Sequence, residues 1–465
     1  MTPESKIKGN IIAAYGGLAL PLAMIGYPIA IWLIPFYSEV TKFPLALLAD
    51  ILLLARFTDV ITDPVIGQLS DSTNTPFGRR KPWILLGLPL MMISVYFLFS
   101  PQENVSIYYF LIFIVLMYLG STLIGISYNA WGAEISPVYH ERSRITAGRE
   151  VFTLIGLLLS ALIPLAVEVS GAGVTIYEGM TRMITAVFFF KDFNIGYDLR
   201  NILHFMGLGI VISLPIFAFI ALIRVKDPMP NIENRTSLKE GLKIALKNTL
   251  VVKIILIMFL VIAGESFRNT LSLWFMRDVI GVETIGAAYA RYFISGLIAI
   301  PFWLWLGKKI GKHKAFSITL ITTALISFLN FFLDNGDFVF FHFLFLLKGA
   351  CFGGLQFLPI SMLADVIDTD SLKSGEKRAG NIFALNGMIL KIAAMLAIWA
   401  AVRLVDFFGF NPGVINTQEE LLGLRILYTM GPSIFFLPAL YLSWSFPLTK
   451  GKHEEIRKEL SNQKT

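Results

Sequence analysis

Long apolar stretches, broken by short polar segments, set the pattern of this chain. Apolar runs of about 20 residues lie near residues 11–36, 44–70, 83–100, 107–133, 148–169, 203–224, 251–276, 285–306, 315–333, 338–364, 381–404 and 424–446. A helix rising about 1.5 Å per residue needs about 20 residues to cross a hydrocarbon core of about 30 Å. A backbone in lipid must satisfy its own hydrogen bonds, so the pattern predicts twelve transmembrane helices. The run at 11–36 follows only Lys6 and Lys8 and is too long for a signal-peptide core, so it is expected to remain as the first span.

Composition supports solvation by lipid: 55% of residues are hydrophobic and 15% charged, against roughly a quarter charged in soluble domains. A net charge of +7 could suggest nucleic acid, but the basic residues sit in short connections, not on one soluble face, so no nucleic-acid partner is expected. Arg79, Arg80 and Lys81, Arg142 and Arg144, Lys308, Lys309, Lys312 and Lys314, and Lys373, Lys377 and Arg378 fall in connections on one side. That side is cytoplasmic by the positive-inside rule, which puts both termini in the cytoplasm. The expected organisation is an N-terminal six-helix half, 1–224, a cytoplasmic connection, 225–250, a C-terminal six-helix half, 251–447, and a charged cytoplasmic tail, 448–465. The lone Cys351 excludes an intrachain disulfide.

The halves echo each other. Gly132-Ala133-Glu134-Ile135 resembles Met362-Leu363-Ala364-Asp365-Val366, and Gly78-Arg79-Arg80-Lys81 has a partner in Gly307-Lys308-Lys309 with Gly311-Lys312. A duplicated six-span unit suits alternating access. The second span is the most informative, running from Arg56-Phe-Thr-Asp59 through Thr62-Asp63-Pro64, Gly67 and Asp71 to Gly78-Arg79-Arg80-Lys81-Pro82-Trp83. On a helix Asp59 and Asp63 are about 40° apart and about 6 Å apart along the axis, with Arg56 one turn earlier. Intramembrane charges cost a few kcal/mol each, so this stripe must face partners or water. At an effective dielectric near 20 the two carboxylates repel by about 3 kcal/mol, which a shared cation removes. The alternative is that Arg56 neutralises Asp59 in a structural pair.

These residues, with Trp131-Gly-Ala-Glu134, His140-Glu141-Arg142, Arg149, Ala364-Asp365-Val366-Ile367-Asp368 and Lys391, closely resemble the glycoside-pentoside-hexuronide:cation symporters. That family is the melibiose-permease branch of the major facilitator superfamily. The resemblance implies an all-α membrane protein with the major facilitator fold, twelve transmembrane helices in two six-helix halves. It implies a cation site at Asp59, Asp63 and the Thr122 hydroxyl, modulated by Lys391; Thr62 is a further candidate oxygen, and Arg56 a coupling residue. The family's fourth-helix carboxylate is replaced by Gly125, and Leu18 stands where galactoside carriers place an acid. A proton is therefore favoured over sodium as the coupling ion, and Asp59 and Asp63 would be metal ligands only if that ion were sodium. No other cofactor is expected.

Gly67, Asp71, Arg79 and Arg80 resemble the superfamily's cytoplasmic gate; as plain positive-inside anchors the arginines would need no such role. Candidate substrate contacts are Tyr27, Tyr128, Asn129, Trp131, Arg149, Glu265, Arg268, Gln356 and Asn386. Each also has a packing alternative, and Glu265 with Arg268, one turn apart, could simply neutralise each other. The expected activity is cation-coupled symport of a sugar, glycoside or sugar acid by a monomer in a cell membrane, the bacterial inner membrane being favoured. The alternative cargo is a lysophospholipid or other amphipathic solute, and a membrane-embedded enzyme is a remote third. No phosphate-binding loop, H-E-x-x-H or G-x-S-x-G motif occurs, which disfavours ATP-driven transport and hydrolysis.

Overall fold

The computed structural model describes residues 6–136, 139–170, 173–193, 198–227, 247–374 and 379–448, with Gly451 and Glu455. Most of the 225–250 connection, Lys377, Arg378 and nearly all of the tail 448–465 lie outside them, as do the side chains of His140 and Lys373. Among the described residues the helices, in chain order, are α1 (Gly9–Glu39), α2 (Leu45–Ser72), α3 (Lys81–Phe99), α4 (Ile107–Glu134), α5 (Tyr139–Val169), α6 (Ile176–Phe188) and α7 (Leu199–Arg224). They continue with α8 (Thr249–Ile280), α9 (Ile285–Ile310), α10 (Lys312–Phe332), α11 (Phe338–Ser374), α12 (Ala379–Phe407) and α13 (Gln418–Trp444), and no β-strand is described.

Eleven of these are long and apolar enough to cross a membrane by length and composition. The twelfth is α2, whose 28 residues reach across but carry Asp50, Arg56, Asp59, Asp63 and Asp71. Its lipid-compatible side is a stripe of exposed Leu54, Phe57, Ile61, Val65 and Leu69 at helical spacing, while Ala55, Asp59, Ile66 and Ser70 are buried on the other. Amphipathicity thus replaces uniform hydrophobicity in this one span. The chain is a multi-pass membrane protein of all-α fold, with twelve helices long enough to span among the described residues.

Several helices outrun the apolar runs that predict them. α11 continues past Ala364 through Asp365, Asp368 and Asp370, and α5 begins at Tyr139, well before residue 148. Charged residues end a membrane-compatible run without ending a helix, because the backbone ladder does not depend on hydropathy. α6 lies in a stretch where the apolar runs predict no element; its 13 residues are too few to span. Within α1, Pro28 is followed by a π-helical segment, Ile29–Leu33, consistent with the donor that proline removes from the ladder.

The chain forms two compact units, Met1–Ile232 with Glu283–Ala290, and Glu233–Val282 with Arg291–Thr465. In the first, α2 and α3 both pack on α4, and α5 on α1. Tyr37 on α1 donates to the Leu98 carbonyl of α3 at 2.9 Å, satisfying a buried hydroxyl. In the second, α8 packs on α12 and α10 on α11 and α13.

Candidate functional site

In the first unit, α2 and α4 bring two carboxylates onto one hydroxyl. Thr122 Oγ1 lies 2.9 Å from Asp63 Oδ1 and 3.3 Å from Asp59 Oδ1. A hydroxyl carries one proton, so it donates to one acid at a time, and the acids' Oδ1 atoms are no farther apart than those two distances combined. Arg56 Nη1 donates to Asp59 Oδ2 at 2.8 Å, one turn away, while its guanidinium stacks over Tyr118 at 4.2 Å. The formal charge of Arg56, Asp59 and Asp63 together is −1. Asp59 is 2% exposed and Asp63 half-buried, so Asp63 is the more accessible acid. The Thr62 hydroxyl is buried and makes no hydrogen bond among the described residues. A Cβ on Gly125 would meet nothing within 4 Å, so open space stands one turn beyond Thr122. Among the described residues no group of three or more His, Cys, Asp or Glu side chains is placed to hold a metal ion.

A second network ties the ends of α2, α3 and α4. Arg80, buried at the start of α3, donates to Glu134 of α4 at 2.8 Å and also binds Asp71 and Ser70 of α2. Arg79 holds the same Glu134 oxygen at 2.7 Å. Asp227 accepts from the backbone nitrogens of Arg80 at 2.7 Å and Lys81 at 3.3 Å, which caps α3. Gly78 makes this approach possible: its φ is +107°, and a Cβ there would sit 2.2 Å from Asp227 Oδ2. Gly67 faces no comparable crowding, since an added Cβ would meet Ile126 only at 3.9 Å. The second unit repeats the device, with Lys312 at the head of α10 bound to Asp365 of α11 at 2.7 Å. Glu134 and Asp365, and Arg80 and Lys312, are offset by 231 and 232 residues, so the sequence echo is an echo of ion pairs. Burial pushes the Glu134 carboxyl up, but hydrogen bonds and charge from Arg80 and Arg79 outweigh it and hold the group below its ordinary value of 4.5.

The candidate substrate residues divide by what already occupies their polar atoms. Tyr128 and Tyr15 stack at 4.5 Å and exchange hydroxyl-to-carbonyl hydrogen bonds at 2.9 and 3.0 Å, a clasp between α4 and α1. Trp131 is fully buried and donates to the Lys226 carbonyl at 2.9 Å. Tyr27 is buried, edge-on to Tyr289 at 5.1 Å. Arg149 instead reaches the exposed Asn129 at 2.8 Å and Glu150 at 2.6 Å, forming a partly exposed polar cluster on α4 and α5. In the second unit Glu265 and Arg268 pair at 2.7 Å, both buried, with the Tyr292 hydroxyl 3.5 Å from Glu265. Gln356 and Lys391 are half-buried, and Asn386 is buried with its Oδ1 taking no hydrogen bond among the described residues.

Sequence reasoning missed four buried ionisable groups, Lys348, Arg291, His342 and Glu168. Lys348 on α11, 2% exposed, reaches Ser327 at 3.2 Å and lies 5.7 Å over the Tyr428 ring. Arg291 meets His342 at 2.7 Å. Glu168, at the end of α5, accepts from the Gly286 backbone nitrogen at 2.8 and 3.1 Å. For Lys348 and Arg291 the available signal was a single charge inside an apolar run; Glu168 shares its run with Arg149 and Glu150 but stands alone near its far end.

Spanning helices that set two acids, one buried and one half-buried, on a shared hydroxyl where lipid should demand apolar side chains fit a solute transporter of the membrane. The chain belongs to the family described as MFS/sugar transport protein, matched over residues 14–450. It is 22% identical to an uncharacterised symporter of Synechocystis, covering 96% of this chain and 95% of that one. It is 25% identical to sodium-dependent lysophosphatidylcholine symporter 1-B of Danio rerio, covering 95% and 86%, and 21% identical to a glucuronide carrier protein homolog of Escherichia coli, covering 94% and 92%. The fold is shared with an inward-facing bacterial homologue of the human lysosomal transporter spinster, at a TM-score of 0.66 and 14% identity over 94% and 97% of the two chains.

Proposed function

We propose that this protein is a monomeric cation-coupled symporter that carries a sugar, glycoside or sugar acid by alternating access, in a bacterial inner membrane with both termini cytoplasmic. The observation that carries the coupling is the Asp59–Thr122–Asp63 arrangement: two acids on one helix, bridged by one hydroxyl, form a negative site that a small cation neutralises. Arg149, 29% exposed and held by Asn129 and Glu150, supplies with the exposed Asn129 the more accessible polar contact for substrate hydroxyl or carboxylate groups, whereas the polar atoms of Tyr128 and Trp131 are buried and bound to backbone. The likeness to lysophosphatidylcholine symporters supports a second reading, an amphipathic cargo of the same coupled carrier. Reconstituted vesicles tested with labelled sugars, sugar acids and lysophospholipids separate the two.

The coupling ion in this proposal is the proton. Two carboxylates and a hydroxyl accept a proton directly, whereas sodium needs a fuller oxygen shell, to which Gly125 contributes no side-chain oxygen. An inward pH gradient at equal sodium is expected to drive accumulation; uptake driven by sodium alone and indifferent to pH overturns this. Gly125→Asp, placed in open space, is expected to introduce sodium dependence, read as sodium-stimulated uptake at equal pH.

Lys391, within α12, is proposed to compete with the coupling cation for the second-helix acids. Lys391→Ala is expected to leave substrate affinity within about threefold, less than 1 kcal/mol, while uncoupling uptake from the ion gradient. Normal ion dependence in that variant removes the lysine from the mechanism.

A further inference from the structure

The connection between α5 and α7 carries a helix with three distinct faces. At about 100° per residue, Ile176, Met180, Ile184, Tyr177 and Phe188 fall within an arc of about 120°. All five are exposed, from 52% at Ile184 to 86% at Ile176, and Phe189 just beyond is 73% exposed. Next around the helix come the polar Thr181, Thr185 and Glu178, and then Arg182. Ala186, on the remaining side, is fully buried, and Val187 at the near edge of the apolar arc is buried as well, so the last turn rests against the protein there while the rest of the arc stays exposed. An apolar face that wide would be costly in water and is too short to be a span.

The helix is firmly placed. Thr175 caps its first turn through the Glu178 nitrogen at 3.2 Å, and Arg182 pairs with Glu178 at 2.5 Å. Beyond its end, Asp192 accepts from the Glu283 nitrogen at 2.9 Å and the Thr284 nitrogen at 2.6 Å, and the Phe193 nitrogen donates to Thr284 Oγ1 at 3.0 Å. Arg182 and Lys191 both approach the Phe193 ring, at 5.8 and 5.2 Å. The exposed apolar arc therefore belongs to a tethered element.

α5 ends at Val169 and α7 begins at Leu199, both ends of spanning helices, so α6 sits at a membrane face. α7 likewise exposes apolar side chains, Phe205, Ile212, Ile216 and Phe219, as a span facing lipid does. We infer that α6 lies flat in the bilayer, its Ile176–Tyr177–Met180–Ile184–Phe188 face sunk to the boundary of acyl chains and headgroups and its Glu178–Thr181 face turned to water. The aromatic rings of Tyr177, Phe188 and Phe189 suit that boundary, and the adjoining polar face suits an interfacial helix.

Nitroxide labels on Ile184→Cys and Thr181→Cys test this in the full chain reconstituted into phosphatidylethanolamine–phosphatidylglycerol vesicles. The native Cys351 is buried, which keeps background labelling low. The label at 184 is expected to relax several-fold more with oxygen than with a water-soluble nickel complex, relative to the label at 181. Met180→Cys, on the same face, repeats the measurement in a second variant. Equal ratios at 184 and 181 place the face in water and overturn the inference. Shielding of 184 from both reagents does so too, because a protein partner or second copy then covers it.

Discussion

Asp63→Asn is expected to lower concentrative uptake by about a hundredfold or more while exchange down a substrate gradient persists. The variant keeps an oxygen for the Thr122 hydroxyl at 2.9 Å, so packing between α2 and α4 survives. What disappears is one of the two charges that attract the driving ion. A coupled carrier works only through the difference in ion affinity between its states, and an ion that binds neither state biases neither. Asp59→Asn is expected to abolish accumulation as well, but with an added structural cost, because Asp59 is almost fully buried and holds Arg56 at 2.8 Å. Leaving that guanidinium without its carboxylate is destabilising in its own right. The two variants therefore differ in a measurable way: Asp63→Asn retains thermal stability in detergent, Asp59→Asn loses some of it. Full accumulation by Asp63→Asn at normal expression would falsify the coupling role.

The long spans, the acid stripe and the repeated ion pairs were legible because each has a local signature. Arg56 and Asp59 are one turn apart, so helical geometry alone brings them together. Glu134 with Arg80 and Asp365 with Lys312 were visible as a repeat of residue types, although the contacts themselves needed the structure. The proximity of Thr122 to both acids came from family resemblance, since no spacing rule links residues 63 and 122. The remainder was hidden by competition for polar atoms. A tyrosine or tryptophan in an apolar span reads equally well as a ligand or as a clasp, and Tyr128 and Trp131 spend their donors on the carbonyls of Tyr15 and Lys226. α6 escaped because a search for runs of about 20 apolar residues passes over a 13-residue helix whose apolar positions are spread around one face.

Arg80→Ala is expected to cost about 3 kcal/mol of stability and to remove most transport activity. Arg80 is nearly inaccessible and binds three side chains from two helices, Ser70 and Asp71 on α2 and Glu134 on α4. Without it Glu134, 11% exposed, loses one of the two guanidinium groups on its Oε1, and the Ser70 hydroxyl loses its charged partner. Asp71 is 45% exposed and water compensates it, which keeps the loss toward the lower end for a broken buried network. Arg80→Lys preserves the charge, but one ammonium cannot replace a planar fork that reaches both helices, so it is expected to recover only part of the loss. The pH dependence has a defined sign. The folded Glu134 carboxyl titrates below its ordinary value of 4.5, so its contribution is complete above that value and is lost as pH falls through the lower, folded one. Glu134→Gln should flatten that acid limb of the thermal-stability profile. Melting in detergent from pH 3 to 8 for the three variants reads all of this; an Arg80→Ala protein that melts and transports like the parent would show the network to be surface decoration.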